Sequence, residues 1–351
     1  MEKIRLGVIF GGKSTEYSVS LHSVGSMLRN CDTNKYEIHC IGITQDGDWY
    51  YLPNPDYDKI EHDHWVDENA IEMCLGLGKE KGIVLLDGKN TRIELDVIFP
   101  VLHGKNGEDG TLQGYLDLAQ IPYVGCGVLA SAVSMDKLYT KIIVDTLHIR
   151  QAQYVPVLKK QLEDMDTVVA RVEEKLSYPV FVKPSNAGSS QGVSKAHDRA
   201  ELVAALELAV KHDRKSLVEE TIIGREIECA VLGGKEVKAS GVGEILAAAD
   251  FYDYEAKYNN PESKTVISPE LPEGVTEKIR KAAVEIFTAV DGFGLSRVDF
   301  FVEKDTNEVV FNEINTLPGF TSISMYPMLW AEQGIEKAQL IETLIEMAYE
   351  R

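Results

Sequence analysis

Residues 7–14 read GVIFGGKS, and this stretch decides between two folds. Its spacing matches G-x-x-x-x-G-K-[ST], the loop that cradles phosphate groups in P-loop nucleotide hydrolases. In such a loop the four intervening residues curl around the anion, but here three of them are the bulky apolar residues Val8, Ile9 and Phe10. They continue the apolar run that begins at Ile4, so the stretch predicts the interior of a β-strand rather than a phosphate cradle.

The loop that follows this strand is then only the five residues GGKST at positions 11–15. It brings Glu16 to the carboxyl edge of the predicted sheet, where open α/β sheets bind their ligands. The match therefore indicates ligand binding at this edge, but of a ligand other than a nucleotide phosphate.

Composition and charge narrow the class of protein. The chain has 351 residues, enough for two or three domains, with the 44% hydrophobic and 26% charged residues of an ordinary globular protein. Its net charge of −20 argues against nucleic-acid binding, and an anionic ligand would need a locally positive pocket. No run approaches 18 apolar residues, so we expect no membrane span. The five cysteines form no CxxC pattern, and we expect reduced thiols in a bacterial cytoplasm.

The order of apolar segments predicts three domains. Over residues 1–125 strands and helices alternate, which favours a parallel sheet covered by helices, and DGDWYYL at 46–52 predicts a hairpin return. Residues 126–216 begin with one long amphipathic helix at 129–148 and continue as a small α+β unit. Residues 217–351 hold pairs of alternating segments that we expect to form antiparallel strands.

A candidate metal site lies in the last pair of predicted strands. Glu313 and Asn315 are two residues apart, so both project from one face of their strand, and Asp299 lies on the adjoining strand. Two carboxylates and an amide oxygen are hard ligands that suit Mg²⁺ held together with substrate phosphates. A solvated acidic face is the alternative, but the apolar flanking residues indicate a buried sheet, where carboxylates need a compensating cation.

The segment 182–195, VKPSNAGSSQGVSK, is rich in glycine and serine. Between two strands such a loop offers N–H groups and hydroxyls to a phosphate and can close as a lid, although a plain flexible hairpin fits the same pattern. Lys183 in this segment and Lys137 before it are the charges that we expect to neutralise phosphate in this acidic protein.

A third segment, VEETIIGRE at 218–226, is a candidate for binding an adenine ring and its ribose. Ile222 would form an apolar wall for the ring, strand-edge backbone groups would pair with its polar edge, and Glu226 would bind the ribose hydroxyls. Paired glutamates such as Glu219 and Glu220 usually face solvent, so this segment does not identify a site by itself.

Taken together these segments resemble the ATP-grasp ligases and, within that superfamily, the D-alanine–D-alanine ligase family. The resemblance runs from about residue 4 to residue 350 and depends on the joint occurrence, in order, of several motifs. They are FGGKSTEYSVS, FPVLHGKNGEDGTLQG, SMDK, FVKPSNAGSS, FYDYEAKY, SRVDFF and NEINTLPGFTSISMYP. The resemblance implies an N-terminal parallel α/β domain (1–125), followed by an ATP-grasp fold of two α+β subdomains, a central one (126–216) and a C-terminal one (217–351).

The resemblance also implies a reaction. ATP would phosphorylate the carboxylate of one D-alanine, and the amine of a second would attack the acyl phosphate through a tetrahedral intermediate. D-alanyl-D-alanine, ADP and phosphate would result, and the dipeptide would serve peptidoglycan synthesis. Asp299, Glu313 and Asn315 would then hold two Mg²⁺ or Mn²⁺ ions, and the resemblance also allows a monovalent cation. The residues placed around ATP are Lys137, Lys183, Glu219, Glu220, Ile222, Glu226, Phe251 and Lys257.

For the first amino acid, the resemblance assigns the ammonium group to Glu16, with His103 close by. Ser189 and Tyr258 would complete a hydrogen-bonded set with Glu16 that orients this substrate and ties down a lid. Two positions depart from the family's motifs. Ser18 stands where the family has a second glutamate, so Glu16 would act with less support. Gln191 replaces the valine of G-S-S-V-G, which alters the packing of the lid but keeps the neighbouring serine.

For the reaction centre, the resemblance assigns oxyanion stabilisation to Arg297 and the backbone N–H of Gly319. Ser324 would hold the carboxylate of the second substrate, and Met325 would line the pocket for its side chain. Relatives that use D-lactate or D-serine tend to replace the lid tyrosine or the residue at Met325, where arginine is common. Because Tyr258 and Met325 suit a methyl group, D-alanine is the expected second substrate, with D-serine disfavoured by only ~10².

Other functions remain open at this point. The chain fits a D-alanine–D-serine or D-alanine–D-lactate ligase, another ATP-grasp carboxylate–amine ligase, or a nucleotide-sensing module without turnover. The intact set of residues around Arg297 argues against the last of these. A homodimer through the N-terminal domain is the expected assembly.

Overall fold

The computed structural model describes residues 2–246 and 264–351. The first sheet has the strand order β6-β5-β4-β3-β2-β1-β7. Its strands are β1 (Ile4–Gly11), β2 (Tyr36–Ile43), β3 (Trp49–Leu52), β4 (Ile71–Gly76), β5 (Gly82–Leu85), β6 (Arg92–Ile93) and β7 (Val97–Val101). The accompanying helices are α1 (Tyr17–Arg29), α2 (Tyr57–Glu61) and α3 (Thr111–Ala119), with a short 3₁₀ helix at Gly78–Glu80.

The parallel sheet predicted for residues 1–125 is correct only for its centre. Strand β1 pairs in parallel with β2 and with β7, and an isolated parallel bridge joins Ile98 to Tyr123. Strand β3 returns antiparallel to β2, as the hairpin prediction requires, and β4 to β6 continue the sheet antiparallel. Helix α2 lies in the connection between β3 and β4, and β4, β5 and β6 follow one another through short connections, which favour antiparallel pairing.

The stretch GVIFGGKS forms a strand as predicted. Strand β1 runs to Gly11, and Val8, Ile9 and Phe10 have no exposed surface. The N–H of Gly11 donates to Ser20 Oγ (2.7 Å), and that of Gly12 donates to the carbonyl oxygen of Ile43 (2.8 Å). These amide groups are therefore occupied within the protein, which excludes a P-loop arrangement at this position.

The second sheet is antiparallel, with the order β10-β9-β11-β8. It is formed by β8 (Tyr154–Leu158), β9 (Val180–Pro184), β10 (Ser194–Ala196) and β11 (Lys215–Glu220). The helices of this part are α4 (Val128–Met135), α5 (Lys137–Thr146), α6 (Met165–Lys175) and α7 (Arg199–His212), with a 3₁₀ helix at Lys159–Asp164. Valine and leucine side chains of α6 and α7 pack on the sheet in one hydrophobic cluster.

The prediction of one long helix at 129–148 is wrong, because the helix is interrupted at Asp136, between α4 and α5. This residue has extended backbone angles (φ −89°, ψ 97°) and caps the N-terminus of α5 by accepting from the N–H of Tyr139. Its carboxylate also accepts from Ser185 Oγ (2.6 Å) and from the ammonium group of Lys215. A buried ion pair with the second sheet therefore outweighs the helical propensity of the surrounding sequence.

The third sheet is also antiparallel, and its described strands have the order β14-β13-β12-β15-β16. They are β12 (Gly224–Gly233), β13 (Val237–Leu246), β14 (Lys264–Ile267), β15 (Gly294–Glu303) and β16 (Val309–Asn315). The described helices are α8 (Val275–Ala289), α9 (Met325–Glu332), which was not predicted, and α10 (Lys337–Met347), with a 3₁₀ helix at Ala348–Glu350. The predicted pairing of β12 with β13 and of β15 with β16 is confirmed.

One hydrophobic cluster joins the first sheet to the C-terminal part of the chain. Phe99 of β7 and Phe320 meet edge to face, with ring centroids 5.9 Å apart, and Leu344 of α10 lies in the same cluster as Leu21 of α1. The segment after β16 is therefore packed against the carboxyl edge of the first sheet. Across the two described ranges, no helix has both the length and the apolar composition that a bilayer crossing requires.

We predict that Gly11→Ala destabilises the protein more than Gly88→Ala does. Both glycines have a positive φ (86° and 77°), but a Cβ at Gly11 would lie 2.1 Å from the carbonyl oxygen of Ile43, whereas no atom lies within 4 Å of one at Gly88. The backbone strain alone costs about 1–2 kcal/mol, and we expect the clash to add roughly 1–3 kcal/mol for Gly11→Ala. Urea unfolding of the two variants measures the difference, and equal midpoints would contradict the prediction.

Candidate active site

Two cavities meet between the three sheets. The first, of about 590 Å³, lies where the first sheet faces the third, and the second, of about 690 Å³, lies between the second and third sheets. Lys137 and Glu313 line both cavities, as do Ala187 and Ser189 of the glycine- and serine-rich segment. The cavities therefore adjoin at a place where one positive and one negative side chain meet, with Lys137 Nζ 3.3 Å from Glu313 Oε2.

A row of three carboxylates crosses the third sheet. The register pairs Glu228 of β12 with Asp299 of β15, and Asp299 with Glu313 of β16. Asn315 lies beside this row and donates from Nδ2 to Asp299 (3.0 Å). The structure thus brings together the three residues predicted to bind metal and adds Glu228, which the sequence analysis missed. Glu226 and Glu228 share one face of β12, and this period of two was the available signal.

Arg297 lies partly buried beside this row. Its guanidinium group makes a bidentate contact with Asp299 (2.7 Å from Nε and from Nη2) and lies 3.2 Å from Glu228 Oε2. Burial would lower the pKa of Arg297, but the surrounding carboxylates outweigh it and raise the pKa well above its usual value. Arg297 is therefore a permanent positive charge that lines the first cavity.

The predicted phosphate lysine Lys137 is held by its neighbours at the start of α5. Its backbone N–H donates to the carbonyl oxygen of Ser185 (2.9 Å), and its ammonium group donates to that of Ala187 (2.9 Å). The neighbouring Asp136 carboxylate accepts hydrogen bonds from the side chains of Ser185, Asn186 and Lys215, which also hold the start of α5 against the second sheet. The two motifs SMDK and FVKPSNAGSS therefore form one hydrogen-bonded unit at the joint of the cavities.

Glu219 lies between two lysines at the floor of the second cavity. Its carboxylate is 2.7 Å from Lys183 Nζ and 3.0 Å from Lys141 Nζ. Burial alone would raise the pKa of Glu219, but the two ammonium groups outweigh it and lower the pKa to about 2. Lys141, which follows Lys137 by one helical turn, was missed by the sequence analysis. Glu219 thus holds Lys183 in place instead of facing solvent.

Apolar side chains from both sheets line the rest of the second cavity. They include Phe181, Ile222, Ile223, Ile245, Phe301 and Phe311. Glu220 also lines it, and one of its carboxylate oxygens accepts from Arg150 Nη1 and from the backbone N–H of Gln153, both at 2.8 Å. Glu226 faces the cavity from β12. A flat apolar ring with a polar rim fits this lining.

Glu16 lies at the other end of the first cavity, where the first sheet meets the glycine- and serine-rich segment. Ser189 Oγ donates to its Oε1 (2.5 Å), which joins two residues that the sequence analysis placed together. A Cβ at Gly104 would lie 2.2 Å from its Oε2, and one at Gly188 would lie 2.5 Å from the same oxygen. The absence of a Cβ at both glycines therefore leaves room for this carboxylate in its observed position.

Glu108 is a second acidic residue at this end of the cavity, and the sequence analysis did not single it out. Its carboxylate accepts from the N–H of Gly104 (2.6 Å) and from that of Leu317 (3.0 Å). Burial, with the neighbouring Glu16, raises the pKa of Glu108 to about 8. The motif FPVLHGKNGEDGTLQG contained this residue, but only the fold brings it beside Glu16.

His103 is close to Glu16 in the lining of the first cavity, as predicted, but both its ring nitrogens have protein partners. Nδ1 is 2.9 Å from the carbonyl oxygen of Leu317, and Nε2 is 3.0 Å from Ser23 Oγ. Burial lowers the pKa of His103, so the ring is neutral at pH 7. The ring is therefore engaged with the protein and does not point an open nitrogen at the cavity.

The segment after β16 completes the first cavity. A Cβ at Gly319 would lie 2.7 Å from Ser324 Oγ, so the backbone of Gly319 runs against this hydroxyl. Ser324 precedes the N-terminus of α9, and Met325 is buried against Gly243 of β13. Three predicted site residues, Phe251, Lys257 and Tyr258, lie outside the described residues.

The ion triad around Glu219 predicts a specific acid sensitivity. Because its folded pKa of about 2 lies below the ordinary value of 4.5, its stabilising contribution is complete above pH 4.5 and is lost as the pH falls through 2. We expect this contribution to reach about 3 kcal/mol. Thermal unfolding of wild type and Glu219→Gln between pH 2 and 7 should therefore converge at low pH. The exposed Glu207→Gln is the control, and parallel curves for Glu219→Gln and wild type would contradict the prediction.

Comparison with known protein families and structures accounts for the whole chain. Residues 5–126 match the family model described as D-ala D-ala ligase N-terminus, and residues 143–346 match D-ala D-ala ligase C-terminus. The D-alanine–D-alanine ligase of Acetivibrio thermocellus is 52% identical over all of this chain and 97% of its own length. That of Clostridium acetobutylicum is 49% identical over 99% of both chains.

Solved structures agree with these sequence relatives. The VanG D-Ala:D-Ser ligase from Enterococcus faecalis superposes with a TM-score of 0.90 at 40% identity, covering 99% of this chain and all of that one. The D-alanine–D-alanine ligase from Coxiella burnetii has a TM-score of 0.86 at 35% identity, covering 99% and 94%. The two adjoining cavities, the carboxylate row and the match over the full length lead to one conclusion: this chain belongs to the D-alanine–D-alanine ligase family.

Proposed function

We propose that this protein joins two D-alanine molecules to D-alanyl-D-alanine, with ATP converted to ADP and phosphate, as a step in peptidoglycan precursor synthesis. The observation that carries the proposal is the junction of two cavities at Lys137 and Glu313, one lined by apolar side chains and lysines and the other by carboxylates and Arg297. A γ-phosphate at this junction would lie between a nucleotide in one cavity and a carboxylate substrate in the other.

ATP would occupy the second cavity. Ile222 and the phenylalanines of β9, β15 and β16 would enclose the adenine, and Glu226 would bind the ribose hydroxyls. Lys183, held by Glu219, and Lys137 would neutralise the phosphates, and Glu220 would line the site from β11. Preset positive charges of this kind reduce the reorganisation that phosphoryl transfer demands. Phe251 and Lys257 belong to the same proposal from the sequence alone.

The residues at the junction fit divalent cations. Asp299, Glu313 and Asn315 supply two hard carboxylates and an amide in one place, next to the positive charges of Arg297 and Lys137. We infer that they would hold two Mg²⁺ or Mn²⁺ ions that arrive with the nucleotide. Such ions would neutralise the charge that develops on the transferring phosphate. A monovalent cation is a further proposal from the family resemblance.

The first D-alanine would lie with its ammonium group at Glu16. Ser189 orients this carboxylate, and the family resemblance adds Tyr258 to the pair. Glu108 lies beside Glu16, but its raised pKa of about 8 leaves it largely protonated at pH 7, so it does not replace the charge of the second glutamate that the family has at position 18. His103 would contribute through its neighbours rather than by direct contact with the ammonium group.

The reacting carbonyl carbon would lie near Arg297 and the N–H of Gly319. Both line the first cavity, and we infer that they stabilise the oxyanion of the tetrahedral intermediate. The carboxylate of the second D-alanine would bind at Ser324 and the N-terminus of α9, where backbone N–H groups favour an anion. Buried Met325 would form an apolar wall against the methyl group of that substrate.

D-serine is the specific alternative for the second substrate, because a solved structure with a TM-score of 0.90 is described as a D-Ala:D-Ser ligase. An apolar wall at Met325 favours a methyl group but rejects an added hydroxyl by only ~10². We therefore propose D-alanine as the preferred second substrate and D-serine as a poor one.

We also propose the domain division 1–125, 126–216 and 217–351, which the three separate sheets support. For a homodimer through the N-terminal domain, the support is the exposed apolar side chain of Leu118 on α3. A cytoplasmic location is a proposal that five free cysteines support, because thiols persist in a reducing compartment.

The proposed activity has a direct test. With ATP, Mg²⁺ and D-alanine, we expect phosphate release in proportion to D-alanyl-D-alanine, detected by chromatography. When D-serine is added at equal concentration, we expect the mixed dipeptide D-alanyl-D-serine as the minor product, formed ~10²-fold more slowly than D-alanyl-D-alanine. ADP formation that requires D-serine or a hydroxy acid would overturn the assignment, and nucleotide binding without turnover would indicate a sensing module.

The role of Arg297 can be tested separately. We expect Arg297→Ala to lower kcat by roughly 10²–10³, the effect of losing one oxyanion donor. Arg280→Ala is the matched control, because Arg280 hydrogen-bonds to carbonyl oxygens of β13 on the same sheet without lining the cavities. Steady-state kinetics at saturating D-alanine measure the effect, and an unchanged kcat would remove Arg297 from this role.

A further inference from the structure

The segment 316–321 has no regular secondary structure, although it carries Gly319 between β16 and α9. An N–H that stabilises an oxyanion must be fixed before the reaction, and a displacement of 1 Å can cost ~10²-fold in rate. Something outside the segment must therefore hold it in place.

Both backbone polar groups of Leu317, two residues before Gly319, are hydrogen-bonded to side chains of the N-terminal domain. Its N–H donates to Glu108 Oε1 (3.0 Å), and its carbonyl oxygen accepts from His103 Nδ1 (2.9 Å). The other oxygen of Glu108 accepts from the N–H of Gly104 (2.6 Å). Both contacts therefore come from the single turn that follows β7.

Phe320, one residue after Gly319, is held from α1. Its N–H donates to Ser23 Oγ (3.3 Å), and this fully buried hydroxyl is 3.0 Å from His103 Nε2. Because the carbonyl oxygen of Leu317 can only accept, Nδ1 of His103 carries the proton, and Nε2 of the neutral ring accepts from Ser23. The contacts thus form one chain, from Phe320 through Ser23 and His103 to Leu317.

We propose that Ser23, His103 and Glu108 are positioning residues, which hold the backbone on either side of Gly319 so that its N–H is directed at the oxyanion oxygen of the intermediate. The inference rests on the proposed function, since it needs an oxyanion at Gly319. It assigns to the N-terminal domain a part in the chemical step, in addition to binding the first substrate. His103 acts through Leu317, because both its ring nitrogens are engaged with the protein.

The test compares binding of the ground state with binding of the transition state. The variants are His103→Ala, Ser23→Ala and Glu108→Gln, and each is assayed for kcat, for KM of D-alanine and for inhibition by a dipeptide analogue with a tetrahedral phosphinate in place of the amide. We expect kcat to fall by about 10–10², and inhibition to weaken by the same factor, because both report the transition state. KM should change by less than about threefold, as for an interaction made only in the transition state.

A conservative replacement and a matched control separate positioning from general loss of structure. His103→Asn retains a donor for the carbonyl oxygen of Leu317, so it should keep more activity than His103→Ala. Gln113→Leu removes a buried hydrogen bond to the carbonyl oxygen of Gly107 (2.8 Å) in the same turn, a bond that is not made to segment 316–321. It should lower the melting temperature while kcat changes by less than about threefold.

Distinct results would overturn the inference. If Gln113→Leu loses as much kcat as His103→Ala, or if KM rises while inhibition by the phosphinate is unchanged, the three residues are not positioning residues. Ser23→Ala removes a single oxygen atom and keeps the test open should His103→Ala fail to fold. A wild-type protein that makes no dipeptide would overturn the proposed function itself, whereas an active wild type with unaffected variants would overturn only this inference.

Discussion

The structure depends on how a protein of net charge −20 tolerates three carboxylates side by side in a buried sheet. Arg297 compensates two of these negative charges, because its guanidinium group contacts Asp299 through two nitrogens and also approaches Glu228. Lys137 provides a positive charge beside the third carboxylate, Glu313. Removing the charge of Arg297 would take away the guanidinium group that two buried carboxylates contact, which costs several kcal/mol. The same negative row is suited to cations that accompany a nucleotide.

Buried carboxylates are also paired with lysines beside the second cavity. Glu219 is buried between Lys141 and Lys183, and Asp136 is buried against Lys215, so lysines from three elements are fixed by carboxylates behind them. Lys183 lines the second cavity, and because Glu219 already holds it, it loses little conformational freedom when an anion binds. The acidic composition of the chain is therefore compatible with a locally positive nucleotide site.

The first and third sheets are coupled at the reaction centre. Glu16 and Glu108 come from the edge of the first sheet, whereas Arg297 and Gly319 come from the third. Packing of Phe99 on Phe320 and the hydrogen bonds to Leu317 hold the first sheet against the segment that follows the third sheet. In the proposed function, substrate recognition and oxyanion stabilisation would therefore depend on one interface between residues that are far apart in the chain.

Local patterns in the sequence determined the strand at GVIFGGKS, the antiparallel pairs of the third sheet, and the meeting of Asp299, Glu313 and Asn315, since strand periodicity fixes which side chains share a face. They did not determine the break at Asp136 or the antiparallel half of the first sheet. They also missed Glu108 beside Glu16, because these features depend on partners distant in the chain. An apolar run specifies burial wherever it lies, but a buried carboxylate requires a particular partner. Only the tertiary structure supplies that partner.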